Sequence, residues 1–168
     1  MKKLLIVSFS LTIISAAAMG IIGKGFHFKD NHRFSIMDLE MPGSEDALVN
    51  AYKNMAEAVL NDVRSHLHAD YLFMVGCYTF IAMLCIAVAG NSGGILKKIF
   101  LALAALQALP FLFDVVENIL LERWIPVPGE EAFMFDFMVF QTLVVAKFTI
   151  AVSAFVIGTV ILIYRSLR

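Results

Sequence analysis

Asp114 and Glu117 stand inside one long apolar stretch and Lys147 inside the next, where a bilayer supplies only hydrocarbon. A charge at the bilayer centre costs about 3 kcal/mol by insertion scales and more by simulation, so such residues need partners or a wet cavity. Asp114 and Glu117 are three residues apart and Asn118 is four from Asp114, which puts all three on one helix face. Gln107, Pro110 and Leu121 extend that stripe. Carboxyl groups so placed exchange protons, bind a cation or pair with a buried ammonium, and Lys147 supplies the ammonium. Two acids against one base leave a surplus carboxyl that is protonated, wet or ligand-bound.

The elements that position these residues follow from hydropathy. Four stretches are long enough to cross a bilayer, which takes about 20 helical residues. They cover 4–22, 71–90, 99–121 and 137–164, joined by long loops at 23–70 and 122–136. The chain of 168 residues is 60% hydrophobic and 16% charged, where a soluble domain averages about 45–50% and 25%. The expected fold is all-α: one integral membrane domain, residues 1–168, a four-transmembrane-helix bundle with an amphipathic helix in its extracytoplasmic loop. Met1-Lys2-Lys3, an apolar run and Ala16-Ala17-Ala18 together resemble a secretory signal with a cleavage site. Because that run continues to Ile22, the expectation is an uncleaved first span.

Charge asymmetry gives orientation. Lys2, Lys3, Lys97, Lys98, Arg165 and Arg168 lie in segments without any acid, so both termini are expected in the cytoplasm of a bacterial inner membrane. Counting inward from the outer ends at 1.5 Å per residue, Asp114 lies roughly 11 Å deep and Lys147 roughly 15 Å. An Asp114–Lys147 pair is therefore feasible, with Glu117 a turn further out. Asp70 at the mouth of the second span joins the candidate pocket, and Tyr78 lies two turns further in. Pro110 withholds an N–H from the carbonyl four residues earlier and kinks the third span below the acids.

Outside the spans, Gly25–Lys29 and Arg33–Leu39 read as a short hairpin or extended pair around Asp30-Asn31-His32. Ser44 is placed to cap a helix whose apolar positions recur from Leu48 to Leu67. That helix spans 44–68 and either continues into the second span or lies flat on the membrane. Asn91-Ser92-Gly93-Gly94 is a tight turn, and Arg123–Gly129 a rigid one with Trp124 in the interfacial belt.

Several function classes lack support. No span contains a histidine for haem ligation, and Cys77 and Cys85, eight residues apart on one helix, cannot pair with each other. His27, His32, His66 and His68 read as surface residues, because His66 and His68 diverge by about 200° on a helix. No metal site is expected, and no particular cofactor is implied. No basic aromatic patch suggests nucleic acid, and no nucleotide-binding or nucleophile-elbow motif occurs. Gly20, Gly76 and Gly158 are candidates for close helix approach.

Three segments together resemble a group of uncharacterised small bacterial inner-membrane proteins. They are Leu39-Glu40-Met41-Pro42-Gly43, Asp70-Tyr71-Leu72-Phe73, and Asp114-Val115-Val116-Glu117-Asn118 with Lys147-Phe148. The resemblance implies a four-span architecture and no activity. The leading expectation is a protein that binds or transports a small hydrophobic, amphipathic or cationic ligand. Its candidate site residues are Asp70, Tyr78, Gln107, Asp114, Glu117, Asn118 and Lys147. Alternatives are a membrane enzyme acting on a lipid or isoprenoid, a proton- or ion-conducting homo-oligomer, an accessory subunit of a larger membrane partner, and charges that merely pin helix packing. The lipid bilayer is the partner common to all of them.

Overall fold

The computed structural model describes residues 2–125 and 133–167. Among the described residues four helices are long and apolar enough to cross a membrane, covering Lys2–Gly25, Glu57–Gly90, Gly94–Trp124 and Phe137–Ser166. The protein is a multi-pass, all-α membrane protein. Each span starts or ends a few residues beyond its apolar run because helix geometry continues into the polar flanks, most of all before Tyr71.

Helix α1 (Lys2–Ile22) ends in a 3₁₀ turn at Gly23–Gly25. A four-residue helix α2 (Met37–Glu40) and α3 (Glu45–Asn54) follow, then α4 (Glu57–Gly90). The third span is split into α5 (Gly94–Leu106) and α6 (Ala108–Trp124), and α7 (Phe133–Ser166) closes the bundle. The break at Gln107 stands three residues before Pro110, where the missing N–H and the ring interrupt the i→i−4 ladder. This is the kink expected from the sequence.

The segment between α1 and α4 departs from expectation in two ways. The expected hairpin or extended pair is reduced to isolated bridges among the described residues: His27 pairs antiparallel with Arg33, with the Phe28 N–H donating to the His32 carbonyl at 2.8 Å, and Phe28 bridges to Met55. Two unsupported strands bury too little to persist, and the ring of Phe28 instead stacks on Phe34 at 4.6 Å. The amphipathic stretch is also not one helix. Ser44 caps α3 by accepting the Ala47 N–H at 3.1 Å, as expected, but the chain leaves helical geometry at Met55. There Lys29 satisfies the end of α3, its N–H donating to the Asn54 carbonyl at 2.8 Å and its Nζ to the Lys53 carbonyl at 2.8 Å. The remainder, from Glu57, runs unbroken into the second span.

Two apolar cores result. The first gathers Phe26, Leu39, Leu48, Tyr52, Val63, Leu67, Leu121, Trp124, Phe140 and Val144 at the end of the bundle covered by the long loop. The second gathers Met74, Tyr78, Ile81, Cys85, Val88, Phe100, Ala151 and Ala154 toward the 91–93 turn. Trp124 belongs to the first core, its ring 5.2 Å from Phe140, rather than to an interfacial belt. The remainder of the Arg123–Gly129 turn, 126–129, lies outside the described residues. His66 is likewise buried, 5.5 Å from the Phe26 ring, whereas His27, His32 and His68 are exposed. At the opposite end Arg165 holds the α4 terminus, donating to the Asn91 carbonyl at 2.8 Å and the Ser92 hydroxyl at 3.0 Å.

Of the three glycines, Gly76 carries the closest approach. A Cβ there would sit 2.7 Å from the Thr12 backbone nitrogen, so α1 packs on α4 through the missing side chain. Gly158 meets Leu84 at 3.1 Å, and Gly20 has nothing within 4 Å.

Candidate functional site

Each of three helices passes from one core to the other through an ionisable residue. Asp70 lies between Leu67 and Met74 on α4, and Lys147 between Val144 and Ala151 on α7. On α6 Asp114 and Glu117 precede Leu121. The three helices therefore bring a charged layer together between two apolar cores.

Lys147 is its centre. The ammonium lies 2.5 Å from Asp114 Oδ1 and 2.5 Å from Glu117 Oε2. The first is an aligned hydrogen bond, whereas the second is a charge contact without hydrogen-bond geometry. Tyr78 donates its hydroxyl to the other oxygen of Asp114 at 2.7 Å. Asn118 donates to Asp70 Oδ2 at 2.8 Å and reaches the Leu67 carbonyl at 3.4 Å. All these residues are buried, and Glu117 has no exposed surface at all.

A fourth carboxyl arrives from the loop. Glu40, the last residue of α2, places Oε2 3.7 Å from Lys147 Nζ and is 8% exposed. Burial pushes its carboxyl up to about 7, with Lys147 pulling it down and Asp70 and Asp114 adding to the rise. Glu40 is the site residue that periodicity missed. It stands some thirty residues before the nearest span it serves, and only its position as an acid among Leu39, Met41 and Pro42 hinted that it is buried.

Six of the seven expected residues meet: Asp70, Tyr78, Asp114, Glu117, Asn118 and Lys147. Gln107 does not. It donates to the Leu103 carbonyl of its own helix at 3.2 Å and lines a separate cavity of about 410 Å³ with Tyr78, Ala82 and Phe111. The kink explains the separation, since residues on either side of it no longer share a helical face.

Glu40, Asp70, Asp114, Lys147 and Tyr78 form the polar end of a cavity of about 490 Å³, within the usual range for small-molecule sites. The remaining walls are mostly apolar and rich in aromatic rings: Phe9 of α1, Phe73 and Phe80 of α4, and Phe148 and Phe155 of α7. Phe9, Val152 and Phe155 line the cavity and are still 49%, 53% and 41% exposed, so it opens sideways from the bundle. The opening lies between α1 and α7, which flank the cavity without packing closely on each other. Among the described residues no cluster of histidine, cysteine and acidic side chains is arranged to hold a metal ion.

The arrangement can place an ammonium-sized cation against carboxyl oxygens while the rest of a molecule lies along aromatic and aliphatic walls. Comparison of the chain with protein-family models, with curated proteins and with solved structures finds no match.

Proposed function

We propose that this membrane protein binds, and moves within the bilayer, amphipathic molecules with a cationic head, which enter between α1 and α7. The observation that carries the reading is the pairing in one cavity of an apolar, laterally open body with an acid-rich end. Glu40, Asp70 and Asp114 line that end beside one ammonium, that of Lys147, which Glu117 also touches from outside the lining. Buried charges need compensation, because each unpaired one costs several kcal/mol even after relaxation, about as much as a good ligand contact returns. A cationic head supplies that compensation, and the rings of Tyr78 and Phe148 add cation–π attraction.

Sidedness follows from the lysines and arginines. With Lys97, Lys98 and Arg165 on the cytoplasmic face of a bacterial inner membrane, α2 and the acid layer lie toward the opposite face. The head of a lipid-like molecule from that leaflet then meets Glu40 and Asp70 first.

The test is thermal unfolding of the purified protein in a nonionic detergent with octyltrimethylammonium, and with an octyl glycoside as the neutral-headed control. The cationic probe raises Tm in a saturable way, and Asp70→Asn weakens the rise. Equal effects of the two probes, or none from either, contradict the proposal.

A further inference from the structure

The acid layer carries more carboxyl groups than its hydrogen bonds hold as anions. Asp114 is the anion: its two oxygens accept from Lys147 and Tyr78 separately. Asp70 accepts from Asn118 at one oxygen. Glu117, with no exposed surface, has no hydrogen-bond partner on either oxygen among the described residues, although Oε2 touches the Lys147 ammonium. Glu40 meets only the same ammonium, at 3.7 Å. One ammonium thus serves Asp114, Glu117 and Glu40 together, and leaving every carboxyl ionised strands buried negative charge.

We infer that the site exchanges a proton for each monovalent cationic head it takes up, and that Glu40 is the group that releases it. The inference rests on the reading of the cavity as a cation site. In the exchange the Glu40 carboxyl O–H breaks and its proton passes to the aqueous phase beside the loop. The carboxylate left behind balances the arriving charge, so the layer's net charge is unchanged.

Glu40 fits this role by position. It lines the cavity, whereas Glu117 lies behind Lys147 and outside the lining. It comes from a loop helix at the aqueous end rather than from a span. The titratable groups around it are Asp70, Cys77 and Tyr78 of α4, Asp114 and Glu117 of α6, and Lys147 of α7. The part of α1 lining the cavity, Phe9, Thr12 and Met19, brings no ionisable group. Helix α3, also packed on α2, directs its Tyr52 hydroxyl to the Leu121 carbonyl instead. Burial pushes Glu40 up to about 7, so its proton is present, and available, just below neutral pH.

Titration calorimetry with octyltrimethylammonium, in pairs of buffers of different ionisation enthalpy, counts the protons. The wild type releases about 0.9 proton per cation at pH 6 and about 0.1 at pH 8, and its affinity rises by up to about tenfold per pH unit below 7. Glu40→Gln binds with an affinity that no longer varies over this window and releases no proton. Binding by the wild type without proton release at pH 6 overturns the exchange, and undiminished release by Glu40→Gln overturns the assignment to Glu40; both leave the cation site standing. Failure of the wild type to bind the probe at either pH overturns the cation site, and the exchange falls with it.

Discussion

Lys147 and Tyr78 approach Asp114 from different helices and occupy different oxygens, at 2.5 Å and 2.7 Å. Asp114 thus has a donor on each oxygen, whereas Asp70 accepts from Asn118 alone and Glu40 and Glu117 meet only the ammonium. The division of labour yields distinct expectations for each residue.

Replacing Lys147 by Met removes the ammonium from beneath the acids. Breaking a buried ion pair on one side costs about 3–5 kcal/mol, so the variant unfolds at a markedly lower temperature in detergent. Adding Asp114→Asn to the same chain recovers part of the loss, because it removes the anion left without a partner. A double variant no more stable than Lys147→Met alone contradicts the pairing.

The two buried tyrosines separate site from scaffold. Tyr78→Phe deprives a carboxylate of a donor and lowers stability by about 1.5–3 kcal/mol, while weakening octyltrimethylammonium binding. Tyr52→Phe takes a hydroxyl from the Leu121 carbonyl, at 3.2 Å, and lowers stability by about 0.5–1.5 kcal/mol with binding intact. Paired unfolding and binding curves distinguish them.

Glu40 sets a pH dependence whose sign is fixed. Its carboxyl binds a proton more tightly in the fold, at about 7, than in the unfolded chain, at 4.5. The folded state therefore holds more protons between those values, and this stabilisation is complete below pH 4.5 and lost as pH rises through 7. Unfolding measured across that interval is less pH-dependent in Glu40→Gln than in the wild type. An unchanged slope contradicts the burial of a titrating Glu40.

Gly76 tests the cavity wall. Gly76→Ala brings a methyl to within 2.7 Å of the Thr12 nitrogen, which is backbone and yields only by moving α1. Overpacking of this kind costs about 1–3 kcal/mol. It widens the gap between α1 and α7, so cross-linking between cysteines placed at Phe9 and Phe155 falls. Gly20→Ala, with nothing within 4 Å, leaves both properties unchanged.

Much of this arrangement is legible from spacing. The rise per residue brings Asp114 and Lys147 level, and the i, i+3, i+4 pattern puts Asp114, Glu117 and Asn118 on one face, because both are local properties of a helix. Glu40 escapes such reasoning because its place depends on how α2 folds back over α6 and α7, a long-range packing outcome. The break at Met55 is hidden for a similar reason: no proline or glycine marks it, and the carbonyls it frees are satisfied by Lys29, distant in sequence. Gln107 shares the stripe of the acids on an ideal helix and loses it only when Pro110 bends the real one.

Anomalous diffraction from crystals grown with octyltrimethylarsonium, whose arsenic marks a quaternary cationic head, shows where such a head binds. A single strong arsenic peak is expected at the acid-lined end of the cavity, bounded by Glu40, Asp70 and Asp114, with the alkyl chain leading out between α1 and α7. An arsenic peak confined to the outer surface of the bundle, or a cavity filled by a neutral chain while the cation is in excess, contradicts the proposal.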